Sequence, residues 1–241
     1  MKTLGLIGGM SWESTALYYS GLNRGVSARL GGLHSAKMVL ANVDFQEIVE
    51  FQQSGHWDEA GIFLADIATK LVAAGAEGIA LAVNTMHKVA PAVAAAVKVP
   101  FLDIRDAIAK DLRSKNIVVS GLLGTGYVMQ EDFYRSHLED AAGGGVLVPE
   151  KQVAADLNQI IYDELSKGVV NDKARSRVLD MIGDLHRQGA GAVILGCTEL
   201  PMLALDSSSP IPLLDSTALH IEMCLNFMLG DDAKSSDRTY Y

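Results

Sequence analysis

The feature that most constrains the fold is an internal repeat, in which short segments of the first half recur about 114 residues later. At a shift of 114 positions, Gly75–Asn84 falls on Gly189–Thr198, so that Val83 corresponds to Cys197. The other matches, in the same order, pair Gly5–Gly8 with Gly121–Gly124, Tyr18 with Tyr134, and Val99–Asp103 with Ile211–Asp215. Matches that keep one order predict two related halves of about 110 residues, an ordinary domain size.

Short apolar runs, each typical of a buried strand, alternate with segments of helical periodicity along both halves. The predicted strands are Thr3–Ile7, Lys37–Val43, Ile79–Val83, Val99–Ile104, Ile117–Leu123, Val146–Pro149, Ala192–Leu195 and Ile211–Leu214. This alternation is typical of parallel sheets that carry helices on both faces. The sequence therefore predicts an α/β fold of two similar parallel-sheet domains, related by a pseudo-two-fold axis, with a cleft between them.

The repeat also sets the predicted domain boundaries. Residues 1–99 together with 212–241 form the first α/β domain, and residues 100–211 form the second. Within the first domain, 231–241 is a polar tail without strand or helix periodicity.

Charge and composition exclude several classes of function. A formal net charge of −9, without a cluster of Lys and Arg, argues against a nucleic-acid partner. No apolar stretch is long enough for a membrane span and no leader-like segment is present, so we expect no membrane partner. Because the chain has only two cysteines, we expect a reducing, cytoplasmic setting. We expect no metal, dinucleotide or nucleoside triphosphate, since their ligand clusters and phosphate-binding motifs are missing.

Cys197 is the strongest candidate for a reactive group. It follows the apolar run Ala192–Leu195 and Gly196, at a predicted strand-to-helix turn, the edge where open α/β sheets carry out chemistry. Backbone N–H groups of the following helix favour a thiolate, so we expect an accessible thiol with a pKa below the usual value of about 8.5. The alternative is a small buried hydrophobe, which is how we interpret Cys224 in its apolar helix.

Two turns in the first half are candidates for binding an anion. The glycine turn Gly8–Ser14 leads into a helix with Ser11 as its predicted N-cap, and it either cradles an anion or only connects strand and helix. Asn84 and Thr85 open the helix after the third strand, where side-chain and backbone donors can bind a carboxylate. His87, further into that helix, is either an acid/base residue or a structural histidine.

Two corresponding strand ends on opposite sides of a cleft suit a reaction that needs an acid and a base on opposite faces of one carbon. One group removes the α-proton and the other delivers a proton to the opposite face, while nearby donors hold the carboxylate and stabilise the enediolate. The pattern therefore favours stereoinversion of a small carboxylate or amino acid.

Almost the whole chain resembles the cofactor-independent aspartate/glutamate racemase superfamily, and within it the bacterial branch acting on aspartate and glutamate. The resemblance is carried by LGLIGGMSWEST at Leu4–Thr15, NTMH at Asn84–His87, GT at Gly124–Thr125, DFY at Asp132–Tyr134 and GCTEL at Gly196–Leu200. It implies two α/β domains, a PLP-free cleft, a homodimer, and Cys197 as an acid/base. With the turns above, it points to these substrate-binding residues: Met10, Ser11, Gln52, Asn84, Thr85, Thr125, Thr198 and Glu199.

Four positions depart from the pattern of that family, and two of them, Gly126 and Val128, stand where relatives often have a polar residue. Val83 stands where relatives usually carry a cysteine and sometimes a threonine, so the first acid/base is missing, and Gln52 stands where some relatives have a basic residue for the distal carboxylate. Three hypotheses follow. The first is a racemase of impaired or altered activity, in which water or a nearby group such as Thr85 substitutes poorly at the Val83 face, or a natural or laboratory variant of such a racemase. The second is a one-thiol decarboxylase of a malonate-like acid, similar to the arylmalonate decarboxylases, and the third is a non-catalytic small-acid binding protein.

Overall fold

The structure, a computed structural model, describes residues 1–230, and the predicted polar tail lies outside the described residues. The chain divides into two compact units. One contains Met1–Asp103 and the described residues from His220 onward, and the other contains Ile104–Leu219. Over the described part of the chain, no helix combines the length and apolar character needed to cross a bilayer.

The first unit is built on a four-stranded parallel sheet within the described residues, with strand order β2-β1-β3-β4. Its strands are β1 (Leu4–Gly8), β2 (Met38–Asn42), β3 (Gly78–Leu81) and β4 (Phe101–Leu102). Its helices are α1 (Trp12–Leu30), α2 (Phe45–Ser54), α3 (Trp57–Ala73), the 3₁₀ segment Thr85–Val89 and α4 (Ala90–Ala96).

Among the described residues, the second unit also has a four-stranded parallel sheet, with strand order β6-β5-β7-β8. Its strands are β5 (Val119–Gly124), β6 (Gly145–Leu147), β7 (Ala192–Gly196) and β8 (Leu213–Asp215). Its α-helices are α5 (Ile104–Ser114), α6 (Gly126–Gln130), α7 (Asp132–Ala142), α8 (Lys151–Asp163) and α9 (Asp172–Arg187). Three 3₁₀ segments, Leu165–Lys167, Leu200–Leu203 and Asp206–Ser208, complete the unit. The last helix, α10 (Ser216–Leu229), begins in this unit and continues in the first one.

Each sheet buries both of its faces, as the continuous apolar runs predict. In the first sheet, Ile79 and Leu81 pack with α3, whereas Ala80 packs on the other face with α1 and α10. In the second, Val193 and Leu195 pack with α8 and α9, whereas Leu122 and Ile194 pack with α5 and α7. Successive side chains of a strand point to opposite faces, so both sheets are three-layered α/β structures. The predicted fold class is therefore confirmed, and the pseudo-two-fold axis and the cleft stay predictions.

The internal repeat is visible in backbone hydrogen bonds as well as in strand order. After α3, the N–H of Gly75 bonds to Val72 and that of Ala76 to Leu71. After α9, the N–H of Gly189 bonds to His186 and that of Ala190 to Leu185, the same pattern 114 residues later. The two glycines have φ of 100° and 105°, values that favour a residue without Cβ.

The structure differs from the predicted boundaries at both crossings between the units. Residues 100–103 belong to the first unit because β4 pairs with β3, although the repeat assigned them to the second domain. Residues 212–219 belong to the second unit because β8 pairs with β7, although the repeat assigned them to the first. The repeat marks which segments correspond but not where one sheet ends, because that depends on strand pairing.

The predicted helices after the two candidate turns also differ. Both begin as 3₁₀ segments, Thr85–Val89 and Leu200–Leu203, rather than as regular α-helices. Pro201 lies in the first turn of Leu200–Leu203, and Pro91 lies beyond Thr85–Val89. A new α-helix starts at Ala90, where Pro91 is tolerated in its first turn.

Candidate active site

Cys197 lies directly after β7, at the carboxyl edge of the second sheet. Its thiol donates a hydrogen bond to Oε2 of Glu199 at 2.8 Å, and the hydroxyl of Thr198 donates to the same oxygen at 2.8 Å. The backbone closes the turn by a bond of 3.3 Å from the N–H of Leu200 to the carbonyl of Cys197. Two consecutive side chains, those of Cys197 and Thr198, therefore converge on one carboxylate oxygen of the next residue, Glu199.

The ionisation of Cys197 is opposite to the prediction from the sequence. Burial of the thiol, only 8% exposed, and then the charge and hydrogen bond of Glu199 raise the pKa of Cys197 well above its ordinary value. The backbone N–H groups of Glu199 and Thr198 do lower the pKa, as expected at such a turn, but they are outweighed. At neutral pH the resting form of Cys197 is thus the protonated thiol.

The turn after β5 lies next to the Cys197 turn, because β5 and β7 pair with Gly124 in register with Gly196. Thr125 follows Gly124, is buried and precedes α6. The N–H of Gly126 donates to Oδ1 of Asn158 on α8 at 2.7 Å, which ties this turn to the helix layer. Asn158 was missed by the sequence analysis, because nothing in the periodicity of α8 marks it.

Two tyrosines extend the surroundings of the thiol. Burial, and then the charges of Cys197, Tyr127 and Glu199, raise the pKa of Tyr162 to about 12. Tyr162 is therefore an uncharged phenol at neutral pH, and it interacts electrostatically with both Cys197 and Tyr127. Neither was a sequence candidate, since a tyrosine on an amphipathic helix carries no site signal of its own.

In the first unit the turn after β1 leads directly into α1. Gly9 has φ of 90°, and a Cβ there would lie 2.2 Å from the carbonyl oxygen of Val43, so the turn needs glycine. Ser11 is the N-cap of α1, as predicted, and accepts from the N–H of Ser14 at 3.3 Å. Met10, between them, is buried.

The equivalent of the Cys197 turn follows β3, next to the turn after β1, since Ile7 is in register with Leu81. Val83 is half-buried there, and Asn84 and Thr85 are buried. The amide of Gln52, also buried, donates to the sulfur of Met86 at 3.2 Å, so Gln52 reaches the same 3₁₀ segment.

A buried polar cluster lies behind this segment. His87 and His220 are both 0% exposed and stack edge to face, with ring centroids 5.9 Å apart. Nε2 of His220 bonds to the carbonyl of Leu102 at 2.8 Å, and the hydroxyl of Tyr18 lies 2.7 Å from Nδ1. Because a carbonyl only accepts, Nε2 carries the hydrogen of His220, and Nδ1 accepts from Tyr18. Burial, and then the charge of His87, lower the pKa of His220 to about 3.

This shift predicts acid sensitivity of the fold. His220 has a lower pKa folded than its ordinary 6.5, so its contribution to stability is complete above pH 6.5 and is lost as the pH falls towards 3. At pH 5 the loss reaches about 2 kcal/mol relative to pH 8. We expect His220→Gln, which keeps a donor for Leu102, to remove about this much of the pH dependence of the free energy of unfolding in denaturant titrations.

His34→Gln, at an exposed histidine, is the matched control and should leave the pH dependence unchanged. An identical dependence in His220→Gln and in the unaltered protein would show that His220 is not the group that titrates.

The sequence candidates thus divide between the two units. The second unit brings together Thr125, Cys197, Thr198 and Glu199, and the first brings together Met10, Ser11, Gln52, Val83, Asn84 and Thr85. Within the described chain no group of three His, Cys, Asp or Glu is arranged to hold a metal ion.

Comparison with known proteins agrees with this architecture. A protein from Yersinia pestis, described as a candidate Asp/Glu racemase, is 43% identical over 95% of this chain and 100% of its own, with a TM-score of 0.91. An aspartate racemase homologue from Pyrococcus horikoshii is 31% identical over 95% of this chain and 99% of its own, with a TM-score of 0.84. The aspartate racemase of Picrophilus torridus, 23% identical over 92% and 93% of the two chains, shares the fold with a TM-score of 0.70. A family model described as Asp/Glu/Hydantoin racemase matches residues 7–224. The chain therefore belongs to the Asp/Glu/hydantoin racemase family.

Proposed function

We propose that this protein is a cofactor-independent racemase of a small acidic amino acid, with Cys197 as its acid/base thiol. The observation that carries the proposal is the hydrogen bond from the Cys197 thiol to Glu199, at the strand end of a chain that belongs to the racemase family. Aspartate is the first substrate to test, since the Pyrococcus horikoshii relative is described as an aspartate racemase homologue.

Glu199 gives the protonated thiol a way to act as a base. The thiol proton moves along the hydrogen bond from Sγ to Oε2, two atoms that lie 2.8 Å apart. The thiolate that forms then takes the α-proton of the substrate. The electron pair of the Cα–H bond passes into the substrate carboxylate as an enediolate. Return of a proton from Sγ to Cα, and of the Glu199 proton to Sγ, restores both groups. We assign the stabilisation of the enediolate to hydroxyl, amide and backbone donors at the turns of Thr125, Asn84 and Thr198.

Val83 makes the proposed activity asymmetric. A valine side chain has no proton to exchange, so the position that corresponds to Cys197 supplies neither acid nor base. Inversion then depends on water or on the hydroxyl of Thr85, whereas exchange of the α-proton by Cys197 and Glu199 needs no acid or base on the opposite face. We therefore assign fast exchange and slow inversion to this protein.

The test is incubation with each enantiomer of aspartate and glutamate in D₂O, following deuterium at Cα by NMR and inversion by chiral chromatography. We expect one enantiomer to gain deuterium roughly 10²-fold faster than it inverts, because a positioned acid/base contributes about that much or more. Cys197→Ala should abolish the exchange and Cys224→Ala, at a buried cysteine of α10, should preserve it. Exchange that survives Cys197→Ala would disprove the role of the thiol.

The apolar side chain of Val83 favours a second candidate, the one-thiol decarboxylase. An uncharged wall raises the energy of a carboxylate that is to leave as CO₂, after which Cys197 protonates the enediolate. Incubation with a panel of substituted malonates distinguishes the two, since CO₂ release without deuterium exchange into amino acids supports the decarboxylase. Absence of both reactions, with binding of a dicarboxylate, supports a non-catalytic small-acid binding protein. The homodimer stays a prediction for sedimentation to test.

A further inference from the structure

The 3₁₀ segment that follows Val83 leaves a carbonyl for a side chain to bind. In a regular α-helix the N–H of His87 would bond to the carbonyl four residues earlier, that of Val83. Here it bonds instead to the carbonyl of Asn84, three residues earlier, at 3.1 Å. The imidazole of His87 takes the remaining acceptor, with Nδ1 at 2.8 Å from the oxygen of Val83. The ring thus replaces the helical hydrogen bond of its own residue.

The direction of this bond fixes the tautomer of His87. A carbonyl oxygen only accepts, so Nδ1 carries a hydrogen. The ring is 0% exposed, and it is enclosed by the rings of His220 at 5.9 Å and Phe101 at 5.8 Å. Its other nitrogen, Nε2, lies 3.9 Å from Oδ1 of Asp103. Packing on several sides therefore determines where Nδ1 points.

Two consecutive carbonyls at the end of β3 are held by buried side chains. Ser14, on α1, donates to the carbonyl of Ala82 at 3.0 Å, and His87 binds the next carbonyl, that of Val83. The Val83 carbonyl belongs to the same planar peptide unit as the N–H of Asn84. The orientation of that peptide plane sets the direction in which the chain enters Asn84 and Thr85, and the His87 ring is hydrogen-bonded to its carbonyl oxygen.

We propose that His87 is a positioning residue, which orients the Val83–Asn84 peptide so that Asn84 and Thr85 bind the substrate carboxylate. The proposal rests on the proposed function for its effect on substrate, but its structural half can be tested without any activity. The repeat offers no equivalent in the second unit, because the residue that corresponds to His87 is Pro201. The hydrogen bond from a histidine ring to the backbone thus belongs to the turn that lacks the thiol.

The two conservative amides distinguish the role of each ring nitrogen. In His87→Asn the amide nitrogen takes the place of Nδ1 and keeps a donor for the Val83 carbonyl. In His87→Gln the amide nitrogen takes the place of Nε2, towards Asp103, and the carbonyl of Val83 loses its donor. Both variants replace one buried ring by one buried amide, so they are matched controls for each other.

The first readout is the NMR signal of the Val83 carbonyl carbon. Labelling valine with carbonyl ¹³C and asparagine with ¹⁵N reports only on Val–Asn peptide bonds, of which the sequence has two, Val83–Asn84 and Val170–Asn171. We expect the Val83 carbonyl signal to move in His87→Gln and to stay in His87→Asn, while the Val170 signal, before α9, stays in both. A Val83 signal that moves equally in both variants, or in neither, overturns the proposal.

The second readout is the KM for deuterium exchange into the aspartate enantiomer that the protein processes. We expect KM to rise about tenfold in His87→Gln, the scale of one weakened hydrogen bond to a charged group, with kcat changed less and with His87→Asn near the unaltered protein. An unchanged KM in a variant whose Val83 carbonyl has moved also overturns the proposal. No exchange in the unaltered protein instead refutes the proposed function, and the carbonyl signal still tests His87.

If His87→Gln does not fold, the proposal can be tested on the unaltered protein. A long-range ¹H–¹⁵N spectrum of its histidines should show Nδ1 of His87 carrying a hydrogen. A bare Nδ1 at His87 would be incompatible with donation to Val83 and would overturn the proposal.

Discussion

Val83→Cys is expected to raise the rate of inversion of the processed amino acid by about 10²- to 10⁴-fold, the contribution of one positioned acid/base. The reason is the correspondence of Val83 to Cys197, since each residue follows the third strand in the order of its sheet, β3 in one unit and β7 in the other. The backbone that carries the new thiol is fixed before the substitution, because Ser14 and His87 hold the carbonyls of Ala82 and Val83. The measurement is the ratio of inversion to α-proton exchange in D₂O.

Val83→Ala is the control for this substitution, since it removes bulk without adding a proton donor. It should leave the ratio of inversion to exchange unchanged. In a decarboxylase, Val83→Cys should instead slow CO₂ release and lower the enantiomeric purity of the product, because a polar second proton donor replaces the apolar wall. A cysteine at position 83 that alters neither reaction would reject the hypothesis that the two corresponding turns supply the two acid/base positions.

Glu199→Gln is expected to slow one reaction of Cys197, proton exchange into the substrate, and to accelerate another, alkylation of the thiol. Proton exchange should fall by about 10²- to 10⁴-fold, because an amide cannot take the proton that the thiol must lose. The pKa of Cys197 should fall, since the carboxylate whose charge and hydrogen bond raise it is gone. A lower pKa gives more thiolate at any pH below it, so alkylation by iodoacetamide at pH 8 should become faster. Both the Glu199→Gln variant and its parent should also carry Cys224→Ala, so that Cys197 is the thiol that reacts.

Thr198→Val is the matched control for Glu199→Gln, because it removes a donor to the same Oε2 atom and leaves the charge in place. It should change alkylation and exchange far less than Glu199→Gln does. Exchange in Glu199→Gln as fast as in the unaltered protein would mean that another base receives the thiol proton. Slower alkylation in that variant would mean that Glu199 does not hold the thiol in its protonated form.

The secondary structure and the relation between the halves were accessible from the sequence, because both depend on local patterns. Buried runs such as Ala192–Leu195 predict strands wherever they occur, and Ser11 is recognisable as an N-cap from its place before a helix. Gly75 and Gly189 recur because both helices end in the same left-handed turn. The candidate turns could be found in the same way, since an α/β sheet exposes the residues that directly follow its strands.

The ionisation of the candidate groups was decided by the tertiary structure alone. The sequence places Cys197 where backbone N–H groups lower the pKa of a thiol, and they do lower it, but burial and the Glu199 carboxylate outweigh them. Similarly, NTMH does not reveal that the ring of His87 binds the carbonyl of Val83, or that His220, 133 residues further along the chain, packs against it. A pattern in sequence specifies which groups follow a strand. Their charge and orientation depend on solvent exclusion and on neighbours within a few ångströms, and folding brings those neighbours from distant parts of the chain.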